Sequence, residues 1–130
     1  MKYIMLVFMD TKAFGALPKE EQTRIHRDCG TWHEELMASG QSIGATGLQP
    51  GFTATSLHEK NGQLIISDGP FAETKEVLGG FETLECKDLD EALAISKRFP
   101  TLVAGCCSVE LRPLVTQPQD CELWDDPRAN

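Results

Sequence analysis

The chain is 130 residues long, with 41% hydrophobic and 25% charged residues and a formal net charge of -8 at pH 7. The length suits one domain with one core, and the acidic balance excludes a protein built to grip a nucleic-acid backbone or an anionic membrane, because either needs a basic face. The five cysteines, Cys29, Cys86, Cys106, Cys107 and Cys121, are odd in number and show no Cys-x-x-Cys spacing. That excludes a disulfide framework or a zinc knuckle and points to reduced thiols in a cytoplasmic protein.

The opening run MKYIMLVFM is too short to span a bilayer, and no small-residue cleavage site follows it. It predicts a strand from Tyr3 to Met9 that is apolar on both faces, with Tyr3, Met5, Val7 and Met9 on one and Ile4, Leu6 and Phe8 on the other. Residues 10–17 read as a loop. Pro18 opens a helix with Glu20 and Glu21 in its first turn, running to about Ser39 with Gly40 as cap. Its apolar stripe is Ile25, Cys29, Trp32 and Leu36.

Residues 42–47 and 53–59 read as short strands. Asn61-Gly62 then marks a hairpin turn, with Leu64 to Ser67 as the returning strand. A loop leads to a strand from Phe81 to Cys86. Asp88 and Glu91 have the spacing of an N-cap and its partner three residues on. They open a second helix carrying Leu89, Ala92, Leu93, Ser96 and Phe99, ended by Pro100. Cys107 to Leu111 is the last strand, closed by Pro113, and the adjacent Cys106 and Cys107 read as its packed start. These elements form a domain over residues 1–115. Residues 116–130 make a polar tail with Pro118 and Pro127, expected to lie extended across the domain or its partner and pinned by Trp124.

This order gives an α+β fold, a ferredoxin-like antiparallel sheet with two helices on one face. The helices cover only that face, yet the first strand is apolar on both. Burying such a side chain is worth roughly 1.5–3 kcal/mol, so the second face calls for a cover. A second copy joined by twofold symmetry supplies it, making a homodimeric α+β barrel.

The stretch SDGPFAETKEVLGGFETLE holds the unusual chemistry. Asp68 sits at a strand end, Gly69 permits a positive φ, Pro70 fixes the next turn, and Phe71 is expected to pack inward as an anchor. Gly79 and Gly80 permit close backbone approach. No phosphate-binding glycine fingerprint is present. The loop reads either as a turn or as the lining of a ligand site lying in the dimer cleft. His26 and His33 flank Cys29 on the first helix. They are seven residues apart, roughly 10 Å along the axis, too far for a close two-histidine clasp, so no metal site is expected. They read as half-exposed helix residues or as a pocket acid and base. Glu110 and Arg112 point away from the face that carries Val109 and Leu111. They read as an ion pair, with Asp68 or Lys75 as further partners, or as an anion site.

The motif DGPFAETKEVLGGF closely resembles the signature of the DGPF-type, YCII-related domain family, with support from MKYIMLVF, DLDEAL and SVELRP. The resemblance covers about residues 1–115. It implies a dimeric α+β barrel enclosing a cleft. It also implies a functional link, in some members, to extracytoplasmic-function sigma factors, and in the wider YCII group an enzyme using a His-Asp pair. The implied histidine lies on the first helix. Counted back from Gly40 its place falls near Cys29, where this chain departs from the pattern.

Two functions stay open. One is a small-molecule-binding or regulatory module whose cleft is lined by Asp68, Gly69, Pro70, Phe71, Lys75, Glu110 and Arg112. The other is an enzyme using Asp68 with His26 or His33 as acid and base. Neither calls for a cofactor, a nucleic acid or a membrane.

Overall fold

The computed structural model describes residues 1–129. Its elements are β1 (Lys2–Met9), α1 (Thr11–Gly15), α2 (Lys19–Ala38), β2 (Ser42–Gly47), β3 (Thr55–Lys60), β4 (Gln63–Asp68), β5 (Val77–Glu85), α3 (Leu89–Lys97), α4 (Pro100–Val103) and β6 (Cys107–Pro113). Four strands form one sheet in the order β2-β5-β1-β6, every pairing antiparallel. The fold is ferredoxin-like α+β, with β1 in the middle of the sheet.

The doubly apolar first strand explains that place. Tyr3, Met5 and Val7 are buried, and they pack with Trp32 and Leu36 of α2, Leu84 of β5, and Ala92 and Ile95 of α3. Ile4, Leu6 and Phe8 face the other way and are half-buried, on the sheet face turned away from α2 and α3, where Leu123 and Trp124 stand beside Ile4 and Leu6. In α3 the buried stripe is Ala92, Ile95 and Ser96, while Leu89 and Leu93 are exposed. Ala92 and Ser96 of the expected stripe are thus buried and Phe99 packs against the core, while Leu89 and Leu93 give way to Ile95. Ser96 can be buried because its hydroxyl donates to the Ala92 carbonyl at 2.8 Å.

Several boundaries move. Pro18 is the N-cap of α2 rather than its first residue, and Gly40, at φ +77, follows the helix end. The expected loop before Pro18 contains α1, capped by the Asp10 carboxylate accepting from the Ala13 N–H at 3.0 Å. Asp88 caps α3 by accepting from the Glu91 N–H at 3.0 Å. Pro100 does more than stop α3, because it opens the short α4. The tail is not extended. It coils into 3-10 turns at Pro118–Asp125 and Pro127–Ala129, and Trp124 is 68% exposed.

The largest departure concerns β3, β4 and β5. Asn61 and Gly62 both take positive φ and turn β3 into β4, but this hairpin forms a sheet of its own, apart from the four-stranded one. β5 begins at Val77, four residues before the expected start at Phe81, so the Gly-Gly pair lies inside the strand. Val7 pairs with Gly80 and Phe8 with Leu78, leaving Gly79 as the extra residue of a bulge. At Gly80 a Cβ would lie 2.8 Å from the Thr46 carbonyl oxygen and 3.3 Å from Gly47 Cα. The approach of β2 to β5 depends on its missing side chain.

Gly80→Ala is therefore expected to destabilise the fold by about 1–3 kcal/mol, the usual range for overpacking. Gly30→Ala, within α2 where a Cβ meets nothing within 4 Å, is expected to stabilise it by about 0.4–1 kcal/mol. Urea unfolding of both variants checks the pair.

Cys86, Cys106 and Cys107 are buried free thiols, and Cys121 is exposed. Burial first, then the neighbouring Cys29, pushes the Cys107 thiol up to about 12. It stays protonated at neutral pH and serves as packing. Native protein at pH 8 is expected to show one fast thiol towards a disulfide reagent, abolished by Cys121→Ser. Rapid labelling of Cys107 would contradict the placement.

Candidate functional site

The sheet positions one carboxylate where strands rarely hold one. Gly80, Glu82 and Leu84 alternate along β5 on the face turned to the helices, and all three are buried, Glu82 at 6% exposure. A carboxylate in that position is costly unless its oxygens are bonded. The Ser42 hydroxyl, at the start of β2, donates to Glu82 Oε1 at 2.5 Å. Nδ1 of His33, reaching down from α2, stands 2.6 Å from the same oxygen. The Gly44 N–H donates to Ser42 Oγ at 3.3 Å, so the serine is itself held in place.

The arrangement selects a tautomer. A carboxylate that is ionised only accepts, so against it Nδ1 must be the donor, and when the ring is neutral Nε2 is left as the acceptor. His33 is 35% exposed at the side chain, against 8% for Glu82. The carboxylate is thus the buried member of the pair and the imidazole the more exposed one.

Both residues line a cavity of about 310 Å³ between the helices and the sheet. Met5 and Val7 of β1, Trp32 of α2 and Phe99 beyond α3 form its apolar walls. The Trp32 and Phe99 rings pack at 5.0 Å between centroids, and the Trp32 N–H donates to the Ile95 carbonyl. Cys29, one turn before His33, adds a thiol to the wall, 3.2 Å from the Thr101 hydroxyl oxygen. A pocket that is mostly apolar with a few convergent polar groups is the usual form of a small-molecule site.

Of the residues singled out from the sequence, His33 lines this cavity, and its partner is Glu82 rather than Asp68. His26 is exposed, its ring 5.4 Å from that of Phe14. Asp68 ends β4 at the root of the separate hairpin and is exposed. Gly69 has φ +93, and Pro70 lies over Gly51. Phe71 does not pack inward within this chain: it is 79% exposed and meets the His58 ring edge-on at 6.0 Å. Lys75 pairs with Asp10 at 3.9 Å, and Arg112 pairs with Glu110 at 2.7 Å, so the ion pairs expected between the two sets are not formed. Glu110 and Arg112 lie on the uncovered sheet face, opposite the cavity.

Glu82 and Cys29 line the cavity and Ser42 holds Glu82 from outside the lining, and the sequence reading assigned none of them a role there. Glu82 had a visible signal, a carboxylate in phase with Gly80 and Leu84 on a strand whose neighbours are apolar. Ser42 had none. Among the described residues no group of three His, Cys, Asp or Glu side chains is gathered for a metal, and no helix is long and apolar enough to cross a membrane.

The comparisons with known proteins agree with this architecture. The family model of the YCII-related domain matches residues 1–115. An uncharacterised protein of Rhizobium meliloti is 36% identical over 114 residues, covering 88% of this chain and 92% of that protein. Among solved structures, the 5-chloro-2-hydroxyhydroquinone dehydrochlorinase of Burkholderia phenoliruptrix, in complex with 2,5-dihydroxybenzoquinone, superposes with a TM-score of 0.51 at 16% identity, over 92% of this chain and 98% of its own. At that identity the likeness shows the fold alone. The chain belongs to the YCII-related domain family.

Proposed function

We propose that the protein is a small-molecule enzyme that moves a proton in the cavity between α2 and the sheet. The observation that carries this is the buried Glu82 carboxylate holding His33 in the wall of an apolar cavity of about 310 Å³. In this reading Nε2 of His33 takes or gives the proton. Glu82 steadies the imidazolium formed on the way, and Ser42 holds Glu82. The walls favour an uncharged compound about the size of one ring. Met5, Val7, Trp32 and Phe99 offer it no ionic partner. We propose further that the working unit is a homodimer, because three of the seven apolar side chains of β1, Ile4, Leu6 and Phe8, lie on the face turned away from α2 and α3.

A carboxylate–histidine pair also occurs as a structural device, so the test separates binding from proton transfer. Simple ring compounds, cyclohexanone and phenol, are expected to shift the His33 ring resonances of the native protein. Deuterium exchange into the α position of bound cyclohexanone is expected to fall by on the order of 10²–10⁴ in His33→Ala, and binding to change by no more than about threefold. Glu82→Gln is expected to lower exchange less than His33→Ala, since it spares Nε2 but loses the carboxylate that steadies it. Ring compounds that bind but exchange equally fast in both variants reduce the cavity to a binding site. Ring compounds that leave His33 unmoved remove the cavity from the account.

A further inference from the structure

The cavity between α2 and the sheet holds a second polar group that the proposed proton transfer does not use. Cys29 and His33 lie one turn apart on the same face of α2, and both line the cavity. Cys29 is half-buried. Among the described residues it is the one thiol in that lining, since Cys86, Cys106 and Cys107 are buried outside it and Cys121 is exposed.

Each of the two side chains is held by a buried partner from another element. His33 has Glu82 of β5 at 2.6 Å. Cys29 has Thr101 of α4, whose hydroxyl oxygen lies 3.2 Å from Sγ. Thr101 is 5% exposed, and among the described residues its hydroxyl has no other hydrogen-bond partner. A hydroxyl donates more strongly than a thiol, so the O–H points at the sulfur and the S–H is left to turn into the cavity. For packing alone a valine would fill the same space without burying a polar atom. The cavity therefore presents a thiol and an imidazole side by side, each aimed from behind.

We infer that Cys29 is the nucleophile of this cavity and that the compound it takes is an α,β-unsaturated ring carbonyl. This inference rests on the proton transfer proposed above and names the substrate class for it. An uncharged ring suits the walls, and sulfur, a soft nucleophile, adds to the β carbon of a conjugated carbonyl. In that step the S–C bond forms at the β carbon and the C=C π bond breaks, its charge passing to the carbonyl oxygen as an enolate. Nε2 of His33 takes the thiol proton and returns it to the α carbon, which restores the carbonyl. Nothing is oxidised or reduced, and no group leaves. In reverse, His33 takes the α proton and the thiol is expelled, so addition and release use the same pair. Thr101 is a positioning residue, bonding the sulfur as its proton departs.

Treatment with 2-cyclohexen-1-one, followed by mass spectrometry of the native protein and its peptides, tests this. The exposed Cys121 is the internal reference for an unassisted thiol, so the first comparison needs no variant. Cys29 is expected to form the adduct at least about tenfold faster than Cys121, and cyclohexanone to slow it by competition. Towards a charged disulfide reagent Cys121 stays the fast thiol, because the apolar walls exclude the reagent. His33→Ala is expected to slow the Cys29 adduct by on the order of 10² and to leave the rate at Cys121 unchanged. Thr101→Val is expected to slow it at least about threefold, the worth of a modest hydrogen bond, and Thr101→Ser to keep the native rate. A Cys29 that reacts no faster than Cys121, while cyclohexanone still exchanges its α protons through His33, overturns this inference and leaves the proton transfer standing. A fast adduct indifferent to His33→Ala overturns the shared step. Equal rates in Thr101→Val and the native protein reduce Thr101 to packing. Neither adduct nor exchange overturns this inference and the proton transfer together.

Discussion

Everything in this fold follows from one strand that is apolar on both of its faces. β1 takes the centre of the sheet because both edges of a strand so apolar are best covered by other strands, here β5 and β6. One face, Tyr3, Met5 and Val7, nucleates the core with α2 and α3 and supplies two walls of the cavity. The other face, Ile4, Leu6 and Phe8, stays half-exposed, bordered among the described residues by the tail but covered by neither α2 nor α3. The same run of residues therefore makes a pocket on one side and a requirement for company on the other.

The cavity is chemically distinctive because a buried carboxylate stands in its mostly apolar wall. Glu82 there cannot be left unbonded, and the two groups that satisfy it, Ser42 and His33, come from different elements. Burial and function are coupled in this way. The bond that makes the carboxylate tolerable also fixes which nitrogen of the imidazole stays free. A half-satisfied network would be worse than an apolar wall, so the serine, although distant from any reacting atom, belongs to the same unit.

Much of the scaffold was legible in the sequence. The alternation in β1, the Asn61-Gly62 turn and the Asp88 cap each rest on local chemistry, and each holds. The site was less legible because its parts are local in no sense: Glu82 is 49 residues from His33 and 40 from Ser42. The DGPF motif drew attention to Asp68, whose neighbours in space are those of the hairpin rather than the histidines. The Gly-Gly pair looked like loop, since glycine is depleted in strands. In the sheet those glycines are what let β2 close on β5 and what form the bulge opposite β1. The tail was read from its polarity, which hides that Leu123 stands beside Trp124. The resemblance to relatives placed a histidine near Cys29, and in this chain the histidine that meets a carboxylate is one helical turn further on.

The central claim is that Glu82 holds the Nδ1 proton of His33 and leaves Nε2 to face the cavity. Long-range ¹H–¹⁵N correlation spectra of the histidine rings measure this directly. For neutral His33 the account predicts the tautomer protonated at Nδ1, its Nε2 signal moving when a ring compound is added. In Glu82→Gln the preference for that tautomer should be lost. A neutral His33 protonated at Nε2 in the native protein, or a tautomer indifferent to Glu82, would contradict it.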